Sequence, residues 1–155
     1  MKIRRVAANQ RRRAFDVVTV RTTCSFPFAK LRLRPTPTNK IKDAYVDSEL
    51  GNEAFTYVLQ SGEEDTVHLD DVLYYNEDPA YMRDLLLHKL TVEAQKRVKR
   101  SSLSRRELIR RLGTSAAQFY RLLDPTNYKK SVDQLLTLLR VLDCDVDLVI
   151  KERAA

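Results

Sequence analysis

The stretch Ser115-Ala116-Ala117-Gln118-Phe119-Tyr120-Arg121 holds side chains suited to reading base pairs, provided that one helical face carries them. At about 100° per residue, a helix whose core side is set by Phe119, Leu122 and Leu123 turns Ala117 and Arg121 nearly opposite to that core. Gln118 and Tyr120 then lie on the two flanks of the outward face. A glutamine amide pairs bidentately with adenine, an arginine with guanine, and an alanine methyl touches the methyl group of thymine. Ser115, Ala116, Ala117, Gln118, Tyr120 and Arg121 are therefore the candidate base-reading residues. Ala116 and Ala117 offer methyl groups and no hydrogen bonds, so direct reading rests on few side chains.

A second set suits phosphate. Arg105 and Arg106 open the preceding helical stretch, where free amides and the helix dipole favour an anion. Thr114 sits in the turn between the two stretches. Asn127, Tyr128, Lys129, Lys130 and Ser131 precede the next one. Contacts of this kind fix register without reading sequence. Arg110 and Arg111 are read equally well as a solvated face.

Several signals place these residues on helices. Ser104 is followed by Glu107, Ser115 by Gln118 and Ser131 by Gln134, three capping-box spacings. Gly113 stands where a left-handed residue would stop the first helix. The two short helices, about 104–112 and 115–123, are thus joined by a tight turn. Leu103, Leu108, Ile109, Leu112, Phe119, Leu122, Leu135, Leu138, Leu139 and Leu142 supply the apolar faces. Upstream, Asp78-Pro79 is a helix start, with Met82, Leu86 and Leu90 at helical spacing after it.

The chain has 155 residues and a formal net charge of +7, which averages three opposed blocks. Residues 1–42 carry 12 Lys+Arg and one acid; residues 43–80 carry 11 acids and no Lys or Arg; residues 81–155 carry 16 Lys+Arg and nine acids. The local maximum falls at 96–130, with 11 bases against two acids. A basic excess on that segment is the electrostatic footprint expected of a phosphate-binding surface.

The first half reads differently. Residues 1–13 read as a basic flexible arm without the apolar stretch of a secretory signal. AFDVVTVRT (14–22), the alternating Leu31 and Leu33, and a hairpin at 54–60 and 66–69 around the turn SGEED read as strands. At the far end Val146, Leu148 and Ile150 alternate with polar positions, a strand signal. The expected fold class is α+β, with a small antiparallel β-rich domain at 14–77. An all-helical helix-turn-helix domain at 78–155, closed by a C-terminal strand, is expected to follow.

The order L-S-x-x-E-L-x-x-x-L-G-T-S, a second helix, a polar loop and a leucine-rich helix resembles the DNA-binding domain of phage-repressor-type (Xre-like) transcription factors. The likeness spans roughly residues 88 to 150, with Leu103, Glu107, Leu108, Leu112, Gly113, Ser115 and Leu122 in register. It implies a sequence-specific, dimeric repressor of its own operon, bound to double-stranded DNA at half-sites about one helical turn apart. The terminal strand could pair with its copy in a second chain or add to the chain's own sheet. FPFAKL and the acidic hairpin ending in D-x-V-L are similar to small uncharacterised β-rich domains of bacterial regulators, some in toxin–antitoxin operons. That likeness implies an antitoxin whose acidic segment binds a basic protein partner, such as a toxin.

An enzyme is not expected. Glu63, Glu64, Asp65, Asp70 and Asp71 are hard oxygen ligands, but they lack catalytic spacing and read as solvated acids, so a metal-dependent nuclease ranks low. His68 and His88 have no recognisable nucleophile partner, and no phosphate-cradling glycine loop is present. RNA ranks below duplex DNA as a partner. No cofactor and no metal are expected. Cys24 and Cys144 read as two reduced thiols of a cytoplasmic protein, and no apolar run approaches the roughly 20 residues that span a bilayer.

Overall fold

The structure, a computed structural model, describes residues 1–154. It divides into two compact units, Met1–Tyr81 and Met82–Ala155.

The first unit is built on Phe15. Strands β1 (Ile3–Asn9), β2 (Ala14–Thr19) and β3 (Thr23–Pro27) form one antiparallel sheet, and β4 (Ile41–Val46), β5 (Ala54–Leu59) and β6 (Glu64–His68) form another, each in chain order. Phe15 on β2 is fully buried and meets the Phe55 ring of β5 edge-on, with ring centroids 4.8 Å apart. Phe28 and Tyr57 pack against the Phe15 ring at 5.0 and 5.5 Å. Edge-to-face pairs add to what area burial alone supplies. Burial pushes the Tyr57 phenol up to about 12, and its hydroxyl donates to the Leu33 carbonyl at 2.8 Å.

Several expectations for this half need correction. Residues 1–13 are no flexible arm, because Ile3–Asn9 pairs along β2 as strand β1. A register shift between Ile3 and Arg5 turns both Arg4 and Arg5 outward while Ile3 and Val6 stay buried. The period of two that identifies a strand is broken at that bulge. Leu31 and Leu33 lie on no strand; a single 3-10 turn at Phe28–Lys30 delivers Leu31 to the core.

The expected order of a β domain, a separate all-helical domain and a closing strand does not hold. Strands come first, in two three-stranded sheets, and among the described residues five α-helices follow. The first, α1 (Leu69–Tyr75), buries Leu69, Val72 and Leu73 in the core of the sheets. The second, α2 (Pro79–Arg100), begins there too, with Tyr81 packed against that core. Residues 145–151 form no strand, because among the described residues no other backbone pairs with them.

The second unit gathers most of α2 with α3 (Arg105–Leu112), α4 (Ala116–Leu123) and α5 (Val132–Val141). Its core is Leu87, Ala94 and Val98 of α2, Leu108 of α3, Phe119 of α4, and Leu135, Leu138 and Leu139 of α5. Thr91, fully buried among them, donates its hydroxyl to the Leu87 carbonyl one turn back at 2.6 Å. Among the described residues no helix is long and apolar enough to cross a membrane.

Truncating the ring that joins the two sheets, Phe15→Ala, is expected to cost about 3–5 kcal/mol. Urea unfolding followed by circular dichroism measures it; a loss below about 1 kcal/mol would mean that the surrounding rings close the gap.

Candidate nucleic-acid interface

Each of the three predicted serine caps is made. Ser104, Ser115 and Ser131 accept from the N–H groups of Glu107, Gln118 and Gln134 at 3.1, 3.1 and 3.4 Å. The reciprocal half of the capping box exists only at Ser131, whose N–H donates to Gln134 Oε1 at 3.1 Å. At Ser104 the expected partner is taken: Glu107 accepts from Arg110 at 2.5 Å and from Arg111 at 3.0 Å. Gly113 ends α3 at φ 63°, a left-handed turn residue, and three residues later α4 has begun.

The spacing of α4 then sorts its side chains. Phe119 is fully buried and Leu122 and Leu123 are half-buried. Ser115, Ala116, Ala117, Gln118, Tyr120 and Arg121 are all exposed. The amide of Gln118 and the guanidinium of Arg121 make no hydrogen bond or ion pair with any described residue. Tyr120 is held on its flank. Its ring meets Phe119 edge-on at 5.6 Å, and the Arg105 guanidinium lies 5.9 Å from its centroid. That is a cation–π distance, and it leaves the N–H groups of Arg105 free.

The C-terminus of α4 is where the structure departs most from expectation. A helix end leaves orphan carbonyls, and here each of the last three receives a side chain from elsewhere. Asn127 Nδ2 donates to Arg121 O at 3.1 Å, Lys130 Nζ to Leu122 O at 2.9 Å, and Gln95 Nε2 to Leu123 O at 2.8 Å. Lys130 Nζ also donates to Asp124 O at 2.7 Å.

Three residues placed in the phosphate set are therefore engaged in the fold. Lys130 is only 8% exposed, and burial lowers the pKa of its ammonium. Asn127 donates to α4 and accepts from the N–H of Lys129 at 3.1 Å. Ser131 caps α5, and the Ser131 hydroxyl nearby holds down the pKa of the Asp133 carboxyl. Asp133 thus already sets a negative charge in the first turn of α5, where an anion was expected. Arg105, Arg106, Thr114, Tyr128 and Lys129 remain without a side-chain hydrogen bond or ion pair to any described residue.

Of these, Thr114 and Lys129 border a concave groove of about 1030 Å³. Gly113, Thr114, Gln118, Arg121, Lys129 and Gln134 line it. Its two free cations, Arg121 and Lys129, stand beside the one uncommitted amide on α4. The chemistry on offer is anion binding along the groove and bidentate hydrogen bonding from the helix next to it. Gln95, on α2, was not anticipated. A lone glutamine in a long amphipathic helix carries no signal that it serves the end of another helix.

The acids of 43–80 do not converge. Asp65 is held by Arg32 at 2.5 Å and Asp78 by Arg21 at 3.4 Å. Glu64, Asp70 and Asp71 are exposed and without ion pairs. Among the described residues no three His, Cys, Asp or Glu stand together as metal ligands.

Two outcomes follow from these contacts. Lys130→Met leaves two carbonyls without their partner and is expected to destabilise the chain by about 1–3 kcal/mol, whereas Lys129→Ala stays within about 0.5 kcal/mol; urea denaturation separates the two. Arg110 and Arg111, by their hydrogen bonds, hold the Glu107 carboxyl down to about 2, so the pair is intact above the ordinary glutamate value of 4.5 and is lost as the pH falls through about 2. An NMR titration of that carboxyl checks it, and a midpoint near the ordinary value would show that the arginines do not hold it.

No family model matches this chain, and neither a curated protein nor a solved structure is similar to it at a significant level.

Proposed function

We propose that residues 104–131 bind double-stranded DNA sequence-specifically, with α4 in the major groove and phosphates held by the cations beside it, and that the protein regulates transcription as a repressor. The observation that carries this reading is the outward face of α4. Its Gln118 and Arg121 side chains are exposed, uncommitted and flanked by alanines short enough to let the helix approach base edges. Arg105, Arg106 and Lys129 supply cations that neither the core nor an ion pair uses. The resemblance of 88–150 to phage-repressor-type domains points the same way.

A second reading adds a basic protein partner on the acidic segment, as in an antitoxin. It is favoured by Glu64, Asp70 and Asp71, which stay exposed and unpaired although the same unit contains Arg4, Arg5 and Arg11. Copurification of the native protein tests it: a bound basic protein supports it, and a chain recovered alone removes its support.

Selection from randomised duplexes, followed by a salt titration, tests the main reading. An enriched sequence and an affinity that falls with rising salt are expected. No enrichment and no salt dependence would overturn it. On the selected site Arg121→Ala is expected to lose about 1–3 kcal/mol and to relax one base position, while Lys129→Ala weakens all sequences alike and lowers the salt slope by about one.

A further inference from the structure

The tip of the β1–β2 hairpin reads Gln10-Arg11-Arg12-Arg13, three arginines at one turn. The turn is pinned at three points. The Arg12 N–H donates to Asn9 Oδ1 at 3.1 Å, the Phe28 N–H to the Arg13 carbonyl at 2.9 Å, and Gln10 Nε2 to the Ile41 carbonyl at 3.0 Å. Arg13 holds φ 53°, a left-handed conformation that favours glycine or asparagine. An arginine strains the backbone there, and its side chain makes no hydrogen bond or ion pair with any described residue.

The contact between Gln10 and Ile41 brings further cations to the tip. Arg11 follows one of its partners in sequence, and Lys40 and Lys42 flank the other. At the far end of β1 the Ile3 N–H donates to the Asn52 carbonyl at 2.8 Å, so β1 runs alongside β4 in the opposite direction. Arg4, Arg5, Arg11, Arg13, Lys40 and Lys42 are all exposed, and none has a side-chain hydrogen bond or ion pair with a described residue. The acids on these elements have other partners. Arg12 engages Asp16, the Asp43 carboxylate accepts from the Ala44 N–H at 2.8 Å, and Glu63, in the β5–β6 turn, accepts from the Ser61 hydroxyl at 3.1 Å.

Such a surface fits a ligand that is long and densely anionic. From Arg5 to Arg11 an extended chain spans roughly 20 Å at about 3.3 Å per residue, a length over which duplex DNA presents about 12 phosphates. Guanidinium groups meet phosphate oxygens bidentately. The exposed residues of 10–13 and 40–42 include no apolar side chain to enter a bilayer and no aromatic one to stack on an unpaired base. We propose that this basic edge of the first unit, the β1–β2 tip with the start of β4, binds the phosphate backbone of duplex DNA without regard to sequence, as a contact separate from α4.

Fluorescence anisotropy of the full chain on a labelled 20-base-pair duplex of arbitrary sequence tests it. The assay is run in an Arg121→Ala/Lys129→Ala background, so its outcome is distinct from that of the α4 reading, which depends on an enriched sequence. Binding is expected to persist in that background and to weaken as salt rises. Adding Arg11→Gln/Lys42→Gln is expected to raise the dissociation constant about tenfold at low salt and to lower the salt slope by about two. Lys89→Gln/Lys151→Gln removes the same net charge elsewhere and is expected to change the constant less than about twofold. Arg13→Gly keeps the left-handed turn and is expected to weaken binding while urea denaturation shows no loss of stability. Equal effects of the two double substitutions would show that net charge alone acts, and would overturn the proposal. So would duplex binding unchanged by Arg11→Gln/Lys42→Gln, or tighter binding, lost on that substitution, to phosphatidylserine vesicles or single-stranded RNA.

Discussion

An eight-residue helix leaves as many carbonyls unpaired at its end as it satisfies along its length, so α4 depends on what meets its C-terminus. Three donors from two parts of the chain do so, Gln95 from α2 and Asn127 and Lys130 from the loop that leads to α5. Hydrogen bonds to partly buried carbonyls are costly to lose. The same contacts that close α4 therefore fix the loop carrying Tyr128 and Lys129, and they fix α2 against the helix. Phe119 anchors the inner side of α4, and the polar clamp anchors its end, which leaves the outer side with no structural duty.

Charge looks different once these contacts are counted. The segment 96–130 has 11 bases and two acids in sequence. Glu107 engages Arg110 and Arg111, and Lys130 is turned inward. What remains is a smaller set, Arg105, Arg106, Arg121 and Lys129, of which Arg105 stands over Tyr120 and Arg121 and Lys129 share the groove with Gln118. A cluster of like charges gains field strength from proximity. Moving two arginines into a local ion network and one lysine into the interior therefore narrows the positive surface rather than abolishing it.

The helix boundaries were legible because they rest on local chemistry. A serine three residues before a polar side chain, and a glycine where φ must be positive, act over one turn and need no tertiary partner. The hairpin β5–β6 was legible for the same reason, its alternation and turn being adjacent in sequence. Other features depend on distant contacts and left no such mark. Strand β1 hides behind a bulge that faces two consecutive arginines outward. Helix α1 continues directly from β6 with His68 as an N-cap residue that makes no side-chain cap. Lys130 reads as one of two equivalent lysines, and only the position of two carbonyls 6 and 8 residues back distinguishes it from Lys129. Residues 145–151 show the converse. Their strand pattern is strong, but pattern alone does not supply a neighbouring backbone.

Because the side chains of Ala117, Gln118 and Arg121 make no hydrogen bond or ion pair with any described residue, positions 117, 118 and 121 are free to vary without disturbing the clamp or the core. On the proposed reading, recognition and folding are separable traits of this helix. A lineage could change the sequence it reads by single substitutions there, each nearly neutral for stability. The two alanines mark the most permissive points, since larger side chains would extend into solvent rather than into neighbours.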